Sequence, residues 1–329
     1  MPKALDLTPA RRLTAWWVLV LGGLALLSAG ATGLLPEAAA GGVGAVAVSS
    51  GYAWALAART GGRPLVFGAL AAVIGVVVLL VDTQVLRTGA AVATCTLGAA
   101  LGVMATVPAR RFLHAAREVV IALVIAGGAA VGAVGYGPTV SVVRFEYTAL
   151  ALSFGVVLAL VYRLGAGLHG LGRRGVVGAV FGSVVLLLIL VYGEALETYS
   201  DTSLLDSWQS LRMWVRDTLG AVPRPIQAVL GIPALAWGVY MRARRRQGWW
   251  LCAFGVGATA PVANSVMNPA ATLVEALLGV VYSIVVGLVV AYVVVRIDLA
   301  LTGSRGSRAR RDEERSAVRP EPSRTRPLL

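Results

Sequence analysis

Lysine occurs once in this 329-residue chain, histidine twice and cysteine twice. Each scarcity closes off a chemistry. His114 and His169 fall in charged breaks between apolar runs, which argues against haem ligation inside a membrane and against a zinc-protease site. Cys95 and Cys252 lie within apolar runs and have no partner in a loop. They are expected as small buried hydrophobes, not as a disulfide. No Walker A, G-x-S-x-G or H-E-x-x-H stretch is present, so no catalytic constellation, metal or cofactor is expected. Charge is thin as well, at 14% of residues, where a soluble domain carries about 25%.

What the chain does have is apolar length and arginine. It is 57% hydrophobic, with apolar runs recurring from end to end. A membrane-spanning helix needs about 20 apolar residues. The spans predicted on that basis are Leu13–Leu35, Ala40–Ala58, Pro64–Val81, Thr88–Val107 and Val119–Tyr136. They continue as Tyr147–Tyr162, Val176–Tyr192, Ile226–Met241, Trp249–Asn264 and Ala276–Val295. The fold class is therefore an all-α, polytopic transmembrane helix bundle of about ten spanning helices. A membrane domain over residues 1–301 is followed by a basic tail, 302–329, expected to be disordered and cytoplasmic. Arg11, Arg12, the first apolar run and Ala29-Gly30-Ala31 also fit a signal peptide, whose removal would not change the orientation of the rest.

The net charge of +13 is almost all arginine, placed between apolar runs and not on one face of a soluble fold. It points to membrane orientation, not to nucleic acid. With the N-terminus inside, 24 of the 29 cationic residues fall on the cytoplasmic side, in groups such as Arg59 with Arg63, Arg110 with Arg111, and Arg242 with Arg244. Arg87, Arg144, Arg212, Arg216 and Arg224 fall outside, together with most acids, including Glu37, Asp82, Glu146 and Glu275. The expected location is the plasma (inner) membrane with both termini cytoplasmic. The expected partners are the lipid bilayer, anionic lipids at the cytoplasmic face and tail, and other envelope proteins.

One external break is long, residues 193–225. In it Ser203 and Asp206 fit a capping box, and Leu204, Trp208, Leu211, Val215 and Leu219 follow helical spacing before Gly220, Pro223 and Pro225. This predicts one external amphipathic helix at the membrane surface. Just upstream, Glu194, Glu197 and Asp201 share one helical face. They are the candidate site for a substrate or cation, with Arg212 or Arg216 as the expected salt-bridge partners.

Gly98 with Gly102, Gly128 with Gly132, and Gly178 with Gly182 are small-xxx-small pairs, expected to pack helices closely within the chain. The eighth and ninth spans are short and contain Pro233 and Pro261, as interrupted helices at transporter substrate sites do. Asn268-Pro269-Ala270 looks like the tripeptide of aquaporin-type channels, but a matching second copy is absent and an N-cap and first turn of the last helix explain it fully. Ten helices with both ends inside are similar in outline to the drug/metabolite transporter superfamily. A ten-helix bundle with its large external loop after the seventh helix resembles the peptidoglycan-polymerising glycosyltransferases. Two functions follow as expectations. The first is a permease-like transporter or accessory protein of the cell envelope. The second is a membrane-embedded transferase acting on a lipid-linked envelope substrate at the outer leaflet.

Overall fold

The computed structural model of the chain describes residues 9–166, 180, 182–188, 210, 213–243, 248–302 and 321–328. Among them there is no strand. The helices in order are α1 (Pro9–Ala31), α2 (Glu37–Arg59), α3 (Pro64–Val81), α4 (Gln84–Met104), α5 (Phe112–Val134) and α6 (Val142–Val161). The π-turn π1 (Tyr162–Ala166) extends α6. After it come π2 (Ile226–Gly231), α7 (Ile232–Arg242), α8 (Gly248–Phe254), α9 (Val256–Met267) and α10 (Leu273–Thr302). Eight helical segments among the described residues are long and apolar enough to cross a membrane. The outward faces of α3 and α10 expose Leu65, Val66, Phe67, Ile74, Leu80, Leu277 and Val289, which only a hydrocarbon solvent tolerates on this scale. The chain is an all-helical membrane protein.

Local sequence sets the helix ends. Pro64 occupies the first turn of α3, where its missing amide costs nothing, and Asp82 closes it in the left-handed region at φ 51°. Gly61 at φ 73° turns the chain between α2 and α3, and Gly137 at φ 59° turns it after α5. Neighbouring helices therefore alternate in direction. Gly30 meets Ala40 while Gly23 meets Ala47, which fixes α1 antiparallel to α2. Gly68 meets Trp54 and Gly75 meets Val46, which does the same for α2 and α3. Hence Glu37, Asp82, Glu146 and Glu275 cluster at one end of the bundle, while Arg59, Glu118 and Arg242 lie at the other.

Burial separates the helices into roles. In the segment 248–267 the apolar window is 89% buried, against 17% for α1 and α3. The α8–α9 segment is thus the central element, surrounded by α4, α5, α6, α7 and π2. Helix α10 lies on α7 and π2, and α1–α3 form an outer layer joined to α4 and α5 mainly through α2, with α1 also touching α5 and α3 touching α4. The glycine pairs act within the chain, as expected: a Cβ on Gly98 would strike Ala129, and one on Gly132 would strike Val48. Gly182 faces Phe254, and Gly178 lies outside the described residues. Cys95 and Cys252 are free and buried.

Two expectations are corrected. Asn268 does not cap the last helix: its Oδ1 accepts from the Ala270 amide at 3.0 Å, closing a turn. The cap is Thr272, whose Oγ1 accepts from the Glu275 amide at 3.1 Å. Thr272 with Glu275 has the spacing of a capping box, and the hydroxyl reaches an amide of the first turn that Asn268 is too far back to satisfy. The structureless tail over 302–329 also fails for residues 321–328, which lie against the Arg59 end of the bundle. Leu328 donates its amide to the Arg59 carbonyl at 2.8 Å and packs on the hydrophobic core.

Candidate functional site

The central element is interrupted. Gly255 separates α8 from α9, and Pro261 inside α9 cannot supply the amide that would continue the ladder. Its neighbour is interrupted too, because π2 runs into α7 just before Pro233. The two breaks meet. A Cβ on Gly231 would fall on the Gly257 carbonyl carbon and the Ala258 amide, so the backbones touch with no side chain between them. Expectation placed two short, proline-bearing helices here; their crossing in the middle of the core is a tertiary fact.

Polar side chains lie on or beside these interrupted segments. Gln227, fully buried in π2, donates Nε2 to the Ala258 carbonyl at 2.8 Å. Thr259 donates to the Ala99 carbonyl of α4 at 3.2 Å. Asn264 of α9 donates Nδ2 to Glu146 Oε2 of α6 at 2.5 Å. Arg224, at the mouth of π2, is close enough to Glu146 for their charges to interact. Burial lowers the Arg224 pKa below its ordinary value, and the Glu146 carboxylate opposes that shift. Arg224 is also held by its backbone, whose amide donates to Ser283 Oγ of α10 at 2.8 Å.

Two oxygens in this group have no hydrogen-bond partner among the described residues: Gln227 Oε1 and Asn264 Oδ1. Their side chains are buried, Asn264 to 4% exposure. Buried acceptors without donors are costly, about 1–3 kcal/mol each, and are expected to be satisfied by a ligand or water. Glu146, Arg224, Gln227 and Asn264 are therefore polar groups set within an apolar bundle, on or beside α6, π2 and α9, and two of them carry spare acceptor capacity. Sequence reasoning missed all four as site residues. Glu146 and Arg224 counted only as external charges. Gln227 and Asn264 were legible as uncharged polar residues inside the two proline-bearing spans.

The structure tests little of the sequence-derived site. Glu194, Glu197, Asp201, Leu204, Trp208 and Leu211 lie outside the described residues. Residues 213–219 are helical, and Gly220 stops them at φ 76° with its amide on the Arg216 carbonyl, the stop that the sequence predicts. Within that turn Val215 is half-buried, while Leu219, Met213 and Trp214 are exposed. Arg216 pairs with Glu275 at 3.0 Å, so it is engaged by α10. Tyr282 donates to the Leu219 carbonyl at 2.7 Å. Residues 213–220 are thereby clipped to α10.

No metal-binding group of histidine, cysteine or acidic side chains exists among the described residues. Compared with protein-family models, with curated proteins and with solved structures, the chain finds no match in any of the three.

Proposed function

We propose that the chain is a permease-like transporter of the plasma membrane of a bacterial cell, whose solute passes where the two interrupted helices cross. The carrying observation is the contact of π2–α7 with α8–α9 at Gly231 and Gly257, on the same two segments that bear the unpartnered oxygens of Gln227 and Asn264. Transporters place substrate at discontinuous helices because backbone freed from the helix ladder can be tolerated only where it lines a polar path. The ten-span count and cytoplasmic termini belong to the same reading. They are supported by the arginine alternation and by the alternating helix directions. In that orientation the Glu146 end faces outward, and arginines at the other end meet anionic lipid headgroups. The external interfacial helix over Leu204–Leu219 covers the outward mouth.

Gln227→Cys and Asn264→Cys test this in a background lacking Cys95 and Cys252. Each is exposed to a membrane-impermeant thiol reagent in right-side-out and in inside-out vesicles. A transporter that alternates its access is labelled from both faces. An accessory protein is labelled from neither. A transferase working at the outer leaflet is labelled from the outer face alone, and would also depend on Glu194, Glu197 or Asp201.

A further inference from the structure

At the Arg59 end, two guanidinium groups converge on one carbonyl. Arg242 donates Nη1 to Thr106 Oγ1 at 2.7 Å and Nη2 to the Thr106 carbonyl at 3.1 Å. Arg59 reaches the same carbonyl at 3.5 Å and the Met104 carbonyl at 2.9 Å. The Arg242 side chain has no exposure at all, and its guanidinium stacks 3.5 Å above the Trp249 ring. Buried like charges at this spacing demand an anion. Among the described residues the helices do not supply it to Arg242. Glu321 of the carboxy-terminal segment does, gripping both Nη2 and Nε.

The reverse demand exists one helix away. Glu118 of α5 is 1% exposed and accepts from the Val107 amide and from Arg117, both at 3.0 Å. Arg324 closes it by donating Nη2 to its two oxygens at 3.0 and 2.8 Å. The backbone between is read as well: Arg59 Nη1 donates to the Ser323 and Arg326 carbonyls at 2.8 and 2.7 Å. Leu328 then enters the core. An acid, a base three residues on and a leucine four beyond that are each matched by a separate feature of the bundle.

We propose that Arg59, Thr106, Glu118 and Arg242 form a binding site for a peptide of that pattern, and that its ligand is the chain's own segment 321–328. Occupancy ties together the ends of α2, α4, α5 and α7. Resting on the transporter reading, the docked segment is a latch that keeps the path closed at this end. Release opens the region around Cys252, whose sulfur lies 3.9 Å from Arg242.

A nitroxide on Thr325→Cys, an exposed position, reports docking in the full chain lacking Cys95 and Cys252, in vesicles containing anionic lipid. Arg324→Ala and Arg326→Ala each remove one positive charge. Only Arg324→Ala is expected to mobilise the label, because the Arg326 contribution is its backbone carbonyl. Glu321→Gln is expected to mobilise it too. Equal effects of Arg324→Ala and Arg326→Ala, or tighter immobilisation in Glu321→Gln, would show the segment held by lipid headgroups and overturn the site. These variants alter the peptide alone, so the bundle folds as before. For the latch, Cys252 in a Cys95→Ala chain is expected to react about tenfold faster or more with a small thiol reagent once Arg324→Ala is introduced, since one charge-assisted hydrogen bond shifts a two-state equilibrium by that order. A mobile segment with unchanged Cys252 reactivity would sink the latch and leave the binding site standing. Labelling of Gln227→Cys from both faces judges the transporter reading separately.

Discussion

Gly231 is the residue on which the arrangement turns. Its absent Cβ is the space that the Gly257 carbonyl and Ala258 amide occupy, and neither group can rotate away, since both are backbone. Gly231→Ala therefore has to push π2 off α9, at a cost of about 1–3 kcal/mol for overpacking. Gly155 in α6 is the control, because nothing lies within 4 Å of a Cβ built there. Thermal unfolding of the purified proteins in detergent should show a clear drop for Gly231→Ala and none for Gly155→Ala. An unchanged midpoint for Gly231→Ala would mean that the two backbones are not in contact. The site side chains obey the same logic of local demand. Gln227 and Asn264 each satisfy one group and leave one oxygen over among the described residues, so each brings spare acceptor capacity into an apolar interior.

Among the elements, residues 213–220 show what spacing alone could place. The glycine stop is where the pattern placed it, with Gly220 in the left-handed region that a residue without a Cβ adopts freely. The clip to α10 was not legible, because Arg216 and Glu275 stand far apart in the chain and only packing brings them to 3.0 Å. An exposed pair of this kind is worth about 1 kcal/mol or less, so it orients the segment more than it anchors it. On the proposed reading, anchoring falls to the apolar stripe of Leu204–Leu219. Trp208→Asp is expected to expose the region 193–225 to protease added outside intact cells, because fully burying a large apolar side chain contributes about 1.5–3 kcal/mol. Gln209→Asp, on the opposite face, should leave digestion unchanged. Equal sensitivity of the two would remove the amphipathic helix.

For the whole molecule the testable quantity is topology. Single cysteines at Arg63, Arg111, Arg173 and Arg244, in a background without Cys95 and Cys252, are expected to resist an impermeant thiol reagent in intact cells. Labelling at two or more would overturn the ten-span orientation. Most predicted spans recur within a few residues, and Pro64–Val81 recurs unchanged, because apolar length and end chemistry are written locally and hydrocarbon enforces them. The sequence by itself determined the helical class, the alternation of charge, the burial of both cysteines and the close glycine packing. Which helix sits at the centre was decided by tertiary structure: α8–α9 is the least continuous of the long segments and also the most buried. Hydropathy registers how apolar a helix is, not which neighbours surround it, and in lipid an outer helix is as apolar as an inner one. The carboxy-terminal segment makes the same point from the polar side. Composition alone describes residues 321–328 as a solvated basic tail, yet Glu321 and Arg324 find a buried arginine and a buried glutamate on helices distant in sequence. Charges that three helices leave unsatisfied at one spot exist only after those helices have packed.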